Sequence, residues 1–190
     1  MNDVNAAKQA SVRESQGGAE AARSGPLRSR SPPGILLALG SNLGDRAGAL
    51  ADALRRLEAA GVHTVKASAV HETPALMPEG APPDWDRPYL NQVVAVSTGL
   101  DPFELLRCTQ GIEQAMGRRP AARWAPRVID IDVLAFGDQL LDTPALTLPH
   151  PRLHERRFVL EPLCEIAPGW VHPRLGKTAA RLLAGLPATD

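Results

Sequence analysis

Residues 127–136 read Arg-Val-Ile-Asp-Ile-Asp-Val-Leu-Ala-Phe (RVIDIDVLAF). The alternation of apolar and acidic positions predicts a β-strand over 128–136, closed by the Gly137-Asp138 turn. Side chains on a strand alternate between faces, so Ile129, Ile131 and Val133 point into a core while Asp130 and Asp132 share the opposite face. Two carboxylates so close repel each other, and a cation such as Mg²⁺, which also takes phosphate oxygens and water, would relieve the repulsion. An isolated Asp-x-Asp serves equally well as a solvated sheet surface.

Upstream, Ile35–Leu39 (ILLAL) predicts a strand, followed by a Gly-Ser-Asn-Leu-Gly turn and a helix-period segment from Arg46 to Ala60 that Gly61 ends. Val62–His71 and Asn91–Thr98 (NQVVAVST) predict two more strands. The proline-rich loop 73–88 between them is long enough to act as a lid. Asp101-Pro102-Phe103-Glu104 starts a helix with an N-cap aspartate, a first-turn proline and an N3 glutamate, and that helix should run to about Met116. The order strand, helix, strand, strand, helix, strand predicts an α/β (α+β) fold. Its core is ferredoxin-like βαββαβ, an antiparallel sheet with both helices on one face. Short helices over 158–166 and 178–186 are added at the C-terminal end.

The 190 residues, 44% hydrophobic, suffice for one sizeable core. Residues 1–33 hold Val4, Val12 and Leu27 as their only Val, Ile, Leu or Phe, too few to offset chain entropy, so a disordered arm is expected there and a single domain over 34–190. The 21 basic and 21 acidic side chains cancel, which leaves no bulk field for nucleic acid or an anionic membrane. No apolar run approaches the roughly 20 residues that cross a bilayer, and no secretory signal is readable. Cys108 and Cys164 read as reduced thiols of a cytoplasmic protein.

Local charge is another matter. The loop from Gly117 to Arg127 carries Arg118, Arg119, Arg123 and Arg127 with Trp124, and Leu148–Phe158 adds His150, His154, Arg152, Arg156 and Arg157. Guanidinium forks match phosphate oxygens, so a dense arginine cluster beside an acidic pair suggests a metal plus a polyphosphate. Taken alone, the arginine loop fits a solvated loop or an RNA contact as well, and Asp-x-Asp with arginines would suit another Mg²⁺-dependent nucleotide enzyme.

These pieces together resemble one family, the 6-hydroxymethyl-7,8-dihydropterin pyrophosphokinases. The matching stretches are LGSNLGDR (39–46), ETPA (72–75), YLNQVV (89–94), the segment from Gly117 to Asp138, and LPHPRLHERRFVLEPLCEIAP (148–168). The resemblance implies transfer of diphosphate from ATP to the pterin hydroxymethyl group in folate biosynthesis, with release of AMP. It implies that Asp130 and Asp132 hold two Mg²⁺ ions. ATP would meet Glu113, Arg118, Arg123, Trp124, Arg127, His150 and Arg156, with Arg118 and Arg127 catalytic. The pterin would meet Thr73, Pro74, Tyr89, Asn91, Trp124 and Phe158. Small-molecule substrates, no nucleic acid or membrane partner, and a monomer are expected. Ala125 stands where the family usually has glycine.

Overall fold

The longest apolar segments occupy the middle of the main sheet, where both faces of a strand are covered. In the computed structural model, which describes residues 34–77, 79–119 and 125–187, β1 (Ile35–Ser41) lies between β4 (Tyr89–Ser97) and β5 (Asp130–Phe136), antiparallel to both. The edge strand β2 (His63–Ala67) and the short β3 (His71–Thr73) both pair with β4, so the main sheet runs β2-β4-β1-β5. That order and antiparallel pairing are those of the expected ferredoxin-like core. The predicted arm at 1–33 lies outside the described residues.

The helices start where capping chemistry says they should. In α1 (Arg46–Ala59) the Asp45 carboxylate accepts the Gly48 N–H at 2.9 Å. In α2 (Pro102–Ala115) Asp101 and Glu104 form a complete capping box. Both pack on one face of the sheet, where Leu50, Ala53 and Leu57 of α1 and Leu105 and Ile112 of α2 meet Leu37, Leu39, Val94, Ile131 and Val133.

The C-terminal helices do more than extend the core. α3 (Arg157–Ile166) and α4 (Ala179–Ala184) cover the other face, packing Val159, Leu160, Leu163 and Leu182 on Leu36, Val93, Leu134 and Ala135. A bulge between the Leu36 and Leu37 pairings lets Leu134 and Ala135 of β5 both reach this second core. The sheet is thus buried on both sides, but α3 covers only part of its second face.

Two expectations are corrected. The strand predicted over 62–71 is broken: Ala67 pairs with Val94 but His71 pairs with Asn91, four residues spanning three, so one residue between β2 and β3 is extruded from the ladder. Alternation alone cannot reveal such a bulge. A second hairpin, Leu141–Asp142 (β6) with Thr147–Leu148 (β7), was not predicted, because two-residue strands are too short to show a period. Among its described residues the expected loop 73–88 holds a 3₁₀ turn at Pro83–Trp85. No helix among the described residues is long and apolar enough to cross a membrane.

Under the C-terminal segment His172 is buried, edge-on to Trp170 and His154 at ring-centroid distances of 5.6 and 5.7 Å, and its Nε2 has no hydrogen-bond partner among the described residues. Burial, and then the neighbouring His154, holds its pKa below the usual 6.5. A histidine depressed in the folded state stabilises the protein above its unfolded pKa and loses that contribution as pH falls through the folded one. The melting temperature should therefore drop between pH 7 and pH 5, and His172→Phe should flatten that drop; equal slopes for the two proteins would contradict the assignment.

Candidate functional site

The uncovered part of the second sheet face becomes a floor because β1 carries small residues there. Gly40 pairs with Asn91 on one side and Asp130 on the other, and Ala38 with Val93 and Asp132. A Cβ on Gly40 would lie 3.2 Å from Asn91 Oδ1 and 3.6 Å from the Tyr89 ring, so glycine is what lets these side chains close over the strand. Thr73 at the end of β3 and Pro74 after it, Tyr89 on β4 and Phe158 on α3 wall a cavity of about 300 Å³ above this floor. The Arg156 guanidinium sits 5.5 Å over the Phe158 ring, a cation–π contact that braces the wall. Asn91 is buried and its Nδ2 donates to Thr73 Oγ1 at 2.8 Å, which leaves Oδ1 on the Gly40 side.

Both aspartates face this cavity rather than bulk water. Asp130 is gripped by Arg118 Nη1 at 2.7 Å and by Arg127 Nη1 at 3.2 Å. Among the described residues Asp132 has only longer contacts, to Arg156 Nη1 at 3.6 Å and His150 Nε2 at 4.0 Å. Burial first and the Asp130 charge second push the Asp132 carboxyl up to about 6, against the pull of Arg156, Arg118 and Arg127. Burial, with Arg156 and Arg152, pushes His150 down to about 4, so its imidazole is neutral at pH 7.

Behind the pair, buried Glu113 on α2 accepts the Ile131 N–H at 2.7 Å and a very short contact from Arg118 Nη1. Burial raises its pKa while those two donors lower it. This carboxylate ties α2 to β5 and aims Arg118 at Asp130. Among the described residues no cluster of three His, Cys, Asp or Glu could by itself enclose a metal. Two adjacent carboxylates beside open space do suit Mg²⁺, which binds through one or two carboxylates and keeps water or phosphate oxygens for the remaining positions.

A second cavity of about 290 Å³ opens beyond β5, between Leu106 and Gln110 of α2 and the turn 143–147. Arg118, Asp132 and His150 line both cavities, so the acidic pair stands at the junction of two compartments.

Of the residues expected from sequence, the structure gathers Thr73, Pro74, Tyr89, Asn91, Glu113, Arg118, Arg127, Asp130, Asp132, His150, Arg156 and Phe158 around these compartments. Arg123 and Trp124 lie outside the described residues. Sequence reasoning assigned no role to Arg152, which also lines the first cavity, or to Gly40. It also read Asn42 only as part of a turn. Asn42 Oδ1 accepts the Arg127 N–H at 2.7 Å and its N–H donates to the Arg127 carbonyl at 3.1 Å, a two-bond latch that fixes the root of Arg127. An asparagine in the turn that follows the first strand was the available signal.

Comparison with known proteins agrees with this geometry. Residues 36–168 match the family described as 7,8-dihydro-6-hydroxymethylpterin-pyrophosphokinase (HPPK). A 2-amino-4-hydroxy-6-hydroxymethyldihydropteridine pyrophosphokinase of Methylorubrum extorquens is 46% identical over 152 residues, covering 79% of this chain and 91% of that protein. One from Bacillus subtilis is 44% identical over 131 residues, covering 68% and 75%. A folate synthesis bifunctional protein of Chlamydia trachomatis is 41% identical over 164 residues, but the chain spans only 36% of its length. The crystal structure of Plasmodium falciparum HPPK-DHPS with pteroate shares the fold, at a TM-score of 0.62 and 16% identity over 80% of this chain and 44% of that one. With the family pattern spanning the sheet, its helices and both compartments, the chain belongs to the 7,8-dihydro-6-hydroxymethylpterin-pyrophosphokinase family.

Proposed function

We propose that the chain transfers the β,γ-diphosphoryl group of ATP to the hydroxymethyl oxygen of 6-hydroxymethyl-7,8-dihydropterin, releasing AMP and the pterin diphosphate. The observation that carries this reading is the pair of compartments meeting at Asp132, ringed by arginines. A flat heterocycle fits the Gly40 floor between Tyr89 and Phe158, and the Asn91 amide can both donate to and accept from its edge. The nucleotide takes the second compartment, so its phosphates run past Asp132 toward the first.

In the reaction the pterin oxygen forms a bond to Pβ while the bond from Pβ to the Pα-bridging oxygen breaks, and AMP carries that oxygen away. Arg118, Arg127 and Arg156 stabilise the negative charge that spreads over the transferring group, in a site half-closed to water where such charge pairs are strong. Asp130 and Asp132 are the residues that would hold Mg²⁺, which supplies charge neutralisation and phosphate alignment when bound. Neutral His150, beside Asp132, contributes a hydrogen-bonding group without adding charge. No covalent enzyme intermediate is required; catalysis rests on positioning and electrostatics.

The decisive assay is AMP release from Mg-ATP with and without the hydroxymethyl pterin: pterin-dependent AMP is expected, and its absence from a folded sample overturns the reading. Asp132→Asn should reduce turnover by about 100-fold or more yet raise the melting temperature of the ligand-free protein, because it removes one of two repelling carboxylates. A variant that stays active, or that melts lower, would count against the role given to the pair. Gly40→Ala should raise the pterin KM by about tenfold, equivalent to about 1.4 kcal/mol, while leaving the ATP KM within about twofold, as steady-state kinetics with each substrate varied would show.

A further inference from the structure

The bulge between β2 and β3 decides which side chains enter the first cavity. Ser68 still bonds across to Val93, through its N–H to the Val93 carbonyl at 3.0 Å and its Oγ from the Val93 N–H at 3.1 Å. Three positions later His71 faces Asn91, only two residues from Val93 on β4. With the extra residue, His71 and Thr73 fall on the cavity side of the sheet, opposite Asn91 and Tyr89. Were the same residues paired without the bulge, the register would shift by one and Glu72 would take the place of Thr73. Thr73 Oγ1 in turn accepts the Asn91 amide and sets which way that amide presents itself.

An extruded segment needs partners for its freed backbone groups, and here they come from the far end of α3. Glu165 Oε2 accepts the Ala69 N–H at 2.8 Å, and its Oε1 accepts from His71 Nε2 at 2.6 Å. The next residue, Ile166, gives its carbonyl to Lys66 Nζ at 2.8 Å. A carboxylate in the last turn of a helix works against the helix dipole, so Glu165 does not serve α3 itself. The Ala69 N–H, followed by His71, holds the Glu165 carboxyl below the usual carboxylate range.

We infer that Glu165 is a positioning residue for substrate recognition: by holding the Ala69 bulge and His71, it presents Thr73 and thereby orients the Asn91 amide that reads the heterocycle. α3 then contributes to one compartment from both ends, Phe158 as a wall and Glu165 as an anchor behind the opposite wall. This inference rests on the pterin reading above.

The test compares Glu165→Ala, Glu165→Gln and the parent by steady-state kinetics with each substrate varied, and by direct titration of the pterin in the presence of a non-hydrolysable ATP analogue. The parent is the control for the underlying reading: if it neither binds pterin nor releases AMP, that reading fails on its own account. Given a parent that binds, Glu165→Ala should raise the pterin KM and Kd by about tenfold, with the ATP KM within about twofold. Glu165→Gln, which keeps an oxygen for the Ala69 N–H, should recover most of the loss. Faster hydrogen exchange at the Ala69 amide should accompany the alanine variant alone. Unchanged pterin affinity in folded Glu165→Ala, or equal weakening of both substrates, overturns the inference. Should Glu165→Ala not fold, His71→Ala, which removes one of the two anchors, carries the same expectation at reduced size and the same refutation.

Discussion

Like charges held close together on one strand are the constraint around which this molecule is arranged. Asp130 and Asp132 cannot point apart, because the strand that carries them is locked to β1 by a ladder and by Ile131 and Val133 in the core behind. Their repulsion has to be met by what stands around them. Arg118 and Arg127 answer Asp130 directly, whereas Asp132 is left with distant partners and an elevated pKa. The residual mismatch costs the resting protein stability and leaves one carboxylate ready for a cation and its phosphate ligands.

Supporting that charge pair takes both layers of helices. On one side α2 brings Glu113 under the strand, where a single buried carboxylate bonds the Ile131 amide and steers Arg118. On the other side α3 leaves part of the sheet bare, and the small side chains of Ala38 and Gly40 turn the bare part into a recess. A sheet packed completely on both faces would be more stable and would bind nothing. The uncovered area is therefore where stability is given up for function, and the arginines and aromatics collect at its rim.

Much of this was legible in the sequence. Helix caps such as Asp101-Pro102 with Glu104 are local chemistry, and both long helices begin where their caps put them. The long strands β1, β4 and β5 carried enough alternation to be located within two residues. Of the LPHPRLHERRF and GRR segments, Arg118, His150, Arg152, Arg156 and Phe158 meet at the compartments, whereas His154 packs on His172 and Arg157 pairs with Glu161. What escaped depends on register and on long-range contact. The extruded residue near Ala69 and the two-residue hairpin strands leave no periodic trace. The Asn42 latch on Arg127 joins positions 85 residues apart, and the choice of sheet face for α3 is made by tertiary packing, since its apolar stripe would suit either.

The bulge between β2 and β3 also changes what variation in this segment means. Residue identity at 69 and 70 matters little to a segment held by its backbone, but at the present chain length the extrusion of one residue sets which of two alternating sets of side chains looks into the recess. Substitutions there are read as packing changes, whereas a one-residue deletion takes up the slack: the ladder becomes regular, Thr73 stays opposite Tyr89, and what is lost is the extruded Ala69 region that Glu165 holds. A relative one residue shorter in this arch should accordingly keep the same recognition set and have no need of a carboxylate at the position of Glu165.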